Sequence, residues 1–211
     1  MVQNGMVEEQ WNRFMQIISA LPEDCTFYPC VGNHEAGSPK LFELFDFPEG
    51  KTWYTVEVRN VEFFILNSNI SLSTDSEQYR WFERKLEEST SRFKIVLMHH
   101  PPFSSGPHVE DEKNLRNSIV PLIEETGVQA VFSGHDHCYE RSLHNDTYYM
   151  VTGGGGAPLY DKEKDNKYSQ FFMKAYHFCA LKVHSKKIDV IVYDENLNEI
   201  DKFSIVSDPG P

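Results

Sequence analysis

The sequence has few of the features that assign a chain quickly. Its cysteines, Cys25, Cys30, Cys138 and Cys179, form no C-x-x-C pair. In a chain of 211 residues that argues against a disulfide scaffold, although Cys25 and Cys30 are near enough in sequence to bridge in an oxidising compartment. No apolar run approaches the ~20 residues of a membrane helix. Met1-Val2-Gln3-Asn4-Gly5 shows neither the basic start nor the apolar core of a signal peptide. Positive charge is scarce too: 20 Lys and Arg face 32 Asp and Glu, a net charge of −12. That balance disfavours nucleic acid and anionic membrane as partners. It leaves phosphate substrates open, because a bound divalent metal inverts the local sign, and simple solubility accounts for it equally. Repeats, low-complexity segments and interdomain linkers are absent.

What remains reads as a single α/β domain over 1–211. Trp11, Phe14, Met15, Ile18 and Leu21 recur at helical spacing and predict a helix over 8–21, ended at Leu21-Pro22. Thr26–Val31 is a short apolar run and predicts a buried strand. Loop follows over 36–51 with one helical turn near Leu41–Phe45, then a hairpin of Thr52–Val58 and Val61–Asn67 turning at Asn60. Asp75 or Ser76 caps a helix carrying Tyr79, Phe82 and Leu86. Phe93–Met98 is a strand, and 103–111 an irregular loop after Pro101-Pro102. A helix over 112–125 ends at Gly127, and Val128–Phe132 and Tyr148–Thr152 are strands. A polar loop over 157–172 precedes three antiparallel strands, Ala175–Val183, Lys187–Tyr193 and Glu199–Val206.

Three polar tips follow apolar runs: Gly32-Asn33-His34-Glu35, Met98-His99-His100-Pro101 and Gly134-His135-Asp136-His137. Open α/β sheets place their sites at the C-terminal ends of strands. His135 and His137 face one locus if Gly134 supplies backbone freedom for a tight turn; otherwise they are unrelated surface histidines. Asn33 offers a carbonyl oxygen that suits a hard or borderline ion, or it is ordinary turn chemistry. Of the neighbours His99 and His100, one can point inward. Asn with several His and no nearby Cys is the donor set of a hydrolytic metal site rather than a structural zinc site.

At these residues the chain resembles the calcineurin-like metallophosphoesterases, and within them the purple-acid-phosphatase-related branch. Val96–Phe103, Gly134–Arg141 and Val151–Pro158 carry the likeness together with Gly32–Glu35. The resemblance implies a metallo-dependent phosphatase-like fold on the α/β to α+β boundary, a two-sheet β-sandwich flanked by helices. It implies hydrolysis of a small phosphorylated substrate, phosphomonoester or diester, by hydroxide at a dinuclear centre of iron, zinc or manganese. Carried over by position, Asn33, His99 and His135 bind one metal and His137 the other. His34 stabilises or protonates the transition state, and His108 faces the substrate. His100, Glu140 and Arg141 are supporting residues.

The family pattern also has Asp-x-His and Gly-Asp ahead of Gly-Asn-His, and this sequence contains neither. The expectation is a chain that begins just after the bridging aspartate, without the first strands of the sheet. Gln3 then stands where a purple acid phosphatase has its colour-giving tyrosine. Such a chain holds one metal at most and is a poor phosphatase or a binding fragment.

Overall fold

The computed structural model describes residues 1–108, 111 and 113–207. Its elements run α1 (Glu8–Ile18), α2 (Pro39–Leu44), β1 (Tyr54–Val58), β2 (Val61–Ile65), α3 (Glu77–Glu88), β3 (Phe93–Met98), α4 (Leu115–Ser118), α5 (Val120–Glu125), β4 (Ala130–Ser133), β5 (Tyr139–His144), β6 (Thr147–Thr152), β7 (Ser169–Met173), β8 (His177–Val183), β9 (Lys187–Asp194) and β10 (Glu199–Val206). Seven strands form one sheet in the order β1-β2-β3-β4-β6-β5-β7, and β10-β9-β8 form a second. Strands β2, β3, β4 and β6 are mutually parallel, while hairpin partners and β7 add antiparallel edges.

Period-2 patterning explains the sandwich. Alternate residues of a strand face opposite sides of the sheet. Ile188, Val190 and Val192 of β9 are fully buried on one side and pack on Val61, Phe93, Ile95, Ala130 and Met150 of the large sheet. The opposite face, with Phe64, Val96, Met98 and Val131, is covered by Phe82 and Leu86 of α3 and by Leu115, Ile119 and Ile123 around α4 and α5. A third cluster joins Trp11 of α1 to Val31, Leu41 and Phe47. This is the expected two-sheet α/β architecture. Tyr139 and Arg141 of β5 reach across to Asp201 of β10, at 2.7 Å from the phenol and 2.8 Å from Nε, and tie the sheets at one end.

Several local expectations fail for identifiable reasons. Thr26–Val31 pairs with no strand among the described residues; Phe27 and Tyr28 are exposed, and only Pro29 and Val31 are buried. An apolar run reports affinity for a neighbour, and a strand also needs a ladder partner. Helix α1 stops at Ile18 and leaves Leu21 exposed. The helix expected over 112–125 breaks at Ile119, because Pro121 has no N–H to continue the ladder; residue 112 lies outside the described residues, as do 109 and 110 of the preceding loop. Strand β5 occupies a stretch to which the sequence assigns no element, and most of β7 lies in the expected polar loop. The Ser76 hydroxyl does cap α3, accepting from Tyr79 N at 3.1 Å.

Candidate metal centre

Three adjacent parallel strands end on one edge of the large sheet. Beyond β2 comes Ser68, beyond β3 come His99 and His100, and beyond β4 comes His135. The β3–β4 register pairs Met98 with Ser133, and Gly134 N donates to His99 O at 3.0 Å, so the two tips start level. The loop carrying Asn33 is drawn to the same edge by Asn69, whose Nδ2 donates to Val31 O at 2.9 Å. Glu35, buried, accepts from Gly32 N at 3.0 Å and closes that turn. Gly32 is needed here for room: a Cβ would lie 2.9 Å from the His99 ring.

The donor atoms converge. His99 Nε2 lies 2.8 Å from Asn33 Oδ1 and 3.2 Å from His135 Nδ1. His99, His100 and His135 each offer a ring nitrogen within 4.8 Å of the others. His100 is buried, with Nδ1 2.8 Å from Ser68 Oγ and its backbone N donating to the same oxygen at 2.9 Å. His34 is exposed at the rim, close enough for its charge to act on His99. His108 packs against His135, with ring centroids 4.1 Å apart and planes tilted by 40°. His137 stands outside the group: its Nδ1 lies 2.8 Å from Pro158 O and its ring stacks on Tyr160 at 4.3 Å.

One expectation about this turn is corrected. Gly134 does not take the left-handed conformation; His135 does, with φ 67°. A non-glycine residue there is strained by about 1–2 kcal/mol, and the cost falls on the residue that joins Asn33 and His99. The strain swings the His135 ring toward His99 while Asp136 turns into the protein, fully buried.

Burial, with neighbouring charge, keeps His99 and His100 neutral. Burial, then the neighbouring charges of His100 and His135, push His99 down to about 2. Burial, then His135, Lys113 and His108, push His100 down to about 3. Neutral rings present lone pairs, and a metal must find its ligands deprotonated. One carbonyl oxygen and two or three imidazole nitrogens suit a borderline divalent ion such as zinc, manganese or iron, so the residues present fit the ion implied by the sequence. A bound ion would be held by Asn33, His99 and His135.

Ser68, Asn69, Glu35 and Asp136 were not legible as site residues. Each acts through a bond to a candidate site residue or, at Gly32 and Val31, to the turn that carries one, and for Ser68 and Asp136 the partner lies 28 to 32 residues away. The one usable signal was proximity of Glu35 and Asp136 to the motifs themselves.

A calcineurin-like phosphoesterase family model matches residues 1–139. The chain belongs to that family. Several of the relatives it resembles are purple acid phosphatases. Purple acid phosphatase 15 of Arabidopsis thaliana is 28% identical over 174 residues, covering 70% of this chain and 32% of that protein. A phosphoenolpyruvate phosphatase of Allium cepa is 26% identical over 183 residues, covering 75% and 37%. Purple acid phosphatase 17 of Arabidopsis thaliana is 28% identical over 233 residues, covering 90% and 68%. Purple acid phosphatase PPD1 of yellow lupin superposes with a TM-score of 0.76 at 22% identity, over 90% of this chain and 39% of that one, a likeness of fold. The chain thus spans about a third of the length of Arabidopsis purple acid phosphatase 15 and of the onion protein.

Proposed function

We propose that this calcineurin-like phosphoesterase chain serves metal-dependent hydrolysis of small phosphate monoesters. The convergence of Asn33 Oδ1 and His135 Nδ1 on His99 Nε2, at 2.8 and 3.2 Å, carries the reading. Metal ions held there supply Lewis acidity toward phosphoryl oxygens and neutralise developing charge. His137 belongs to a second metal of the pair. His34, exposed at the rim, contacts the phosphoryl group and stabilises or protonates the leaving oxygen. His108, in the cavity with His100 and His135, faces the substrate. Lys113 lines the same small cavity as His100, His108 and His135 and adds positive charge for an anionic substrate. The purple acid phosphatases among its relatives, and the onion protein named for phosphoenolpyruvate, support monoesters over diesters.

A second reading is favoured by the position of His137. Among the described residues the one group of three clustered ligands is His99, His100 and His135. On that reading the chain by itself binds one metal and turns over slowly. Metal analysis together with hydrolysis of an aryl phosphate decides. The proposal expects bound metal, and hydrolysis that is abolished in His99→Ala. Protein that folds and retains no metal overturns both readings, and one metal per chain with slow turnover selects the second.

A further inference from the structure

Asp136 lies between two histidines of the motif and faces away from both ring sites. It is fully buried, and a buried carboxylate is tolerated only with partners. All of its partners come from one short segment after β3. Its Oδ1 accepts from His108 Nδ1 at 2.7 Å and from His108 N at 3.3 Å, and its Oδ2 accepts from the Ser104 hydroxyl. The Ser104 oxygen in turn accepts from Gly106 N at 3.0 Å. The segment wraps the carboxylate so closely that a Cβ on Gly106 would stand 2.6 Å from Asp136 Cγ. The site turn and the loop over it are thereby one hydrogen-bonded unit.

The unit has a chemical consequence at His108. A carboxylate accepts only, so the ring nitrogen bonded to it carries a proton. The second nitrogen, Nε2, is left for the cavity that His108 shares with His100 and His135. The ring cannot pivot freely either, since it packs against the His135 ring, with centroids 4.1 Å apart and planes tilted by 40°. We propose that Asp136 is a positioning residue for His108. Its carboxylate fixes the ring against His135 with the proton on Nδ1 and leaves Nε2 as an acceptor toward the cavity, where it takes a hydrogen bond from a hydroxyl or protonated oxygen of the substrate. The part concerning substrate rests on the phosphoesterase reading above; the orientation and tautomer do not.

The test is the tautomer itself. Long-range 1H–15N spectra of 15N-histidine-labelled, metal-free protein distinguish a protonated from a bare ring nitrogen. They are recorded in alkaline buffer, where an imidazole carries a single proton, and the His108 signal is identified by its loss in His108→Gln. The wild type is expected to show a proton on Nδ1 and a bare Nε2. Asp136→Ala is expected to move the proton to Nε2, whereas a purely structural role would lower the melting temperature and leave the tautomer unchanged. A proton on Nε2 in the wild type, or an unchanged tautomer in folded Asp136→Ala, overturns the proposal. If Asp136→Ala does not fold, the wild-type spectrum still decides. Recorded without metal or substrate, these spectra report on the pair whether or not the chain hydrolyses phosphate esters.

Discussion

Asn33 and His99 are separated by 66 residues in sequence and by 2.8 Å in the fold, Oδ1 to Nε2. The contact joins a loop to the end of a parallel strand and brings together two of the three candidate ligands. Its chemistry gives a direct prediction. An ion that binds only the folded state stabilises it by about 2.7 kcal/mol at a concentration one hundred times its Kd. Zinc or manganese is expected to raise the melting temperature of the wild type by several degrees. Asn33→Ala and His99→Ala are expected to fold and to lose most of that rise, with metal affinity reduced at least about 100-fold as judged against losses in supporting shells. A full metal-induced shift in His99→Ala would remove His99 from the ligand set.

The left-handed backbone of His135 separates its structural cost from its chemical use. His135→Gly and His135→Ala both delete the imidazole, but only glycine adopts φ 67° without strain. Metal-free His135→Gly is therefore expected to be more stable than His135→Ala by about 1 kcal/mol, read from urea unfolding midpoints. Neither variant should show the metal shift. Equal stabilities would mean that the turn relaxes when the ring is removed.

How much of this was legible depends on the range of the interactions. The apolar runs that became β2, β3 and β4, the Ser76 cap and the last three strands are local patterns, and the sequence predicts them within a few residues. The three motif tips follow, because a parallel strand delivers whatever comes after it to one edge. Strand β5 was hidden because its charged residues, Glu140 and Arg141, break the apolar run that marks a buried strand. The structure buries Glu140 completely by pairing it with the backbone and hydroxyl of Ser105, 35 residues away. Asp136 was hidden in the same way. Thr26–Val31 misled in the opposite direction, since its composition suits a strand and no neighbouring strand among the described residues receives it. Gly134 was the natural choice for a left-handed turn, and the fold assigns that conformation to His135.

Acid is expected to destabilise the metal-free protein well above the range in which carboxylates protonate. His99 is pushed down to about 2 and His100 to about 3 by burial and neighbouring charge. An unfolded histidine protonates near pH ~6.5. Below that value the unfolded chain takes up protons that these two folded side chains refuse, so stability rises with pH and is lost as pH falls. The loss begins near pH ~6.5 and continues until the folded-state values are reached. Urea midpoints measured from pH 7.5 downward should fall steadily before pH 5, and His100→Gln should flatten the slope. A midpoint constant from pH 7.5 to 5 would contradict the depressed values.

Asp201 ties the two sheets far from the metal ligands in sequence, and its removal should separate stability from the centre. It accepts from Tyr139 at 2.7 Å and from Arg141 Nε at 2.8 Å. Burial raises its carboxyl, but the bonds from Arg141 and Tyr139 outweigh burial and hold it below the usual range. Asp201→Ala leaves a half-buried guanidinium and a buried phenol without their acceptor. Hydrogen bonds to charged groups contribute about 1.5–3 kcal/mol, so a loss of about 2 kcal/mol is expected. For a chain of this size that is a fall in Tm of roughly 4–8 °C. The partners lie on β5 and β10, whereas Asn33, His99 and His135 lie on the loop before α2 and beyond β3 and β4. The metal-induced rise in melting temperature should therefore survive in Asp201→Ala, measured from the lower starting point. If that rise disappears with the ion pair, the two sheets and the centre form one cooperative unit rather than two separable ones.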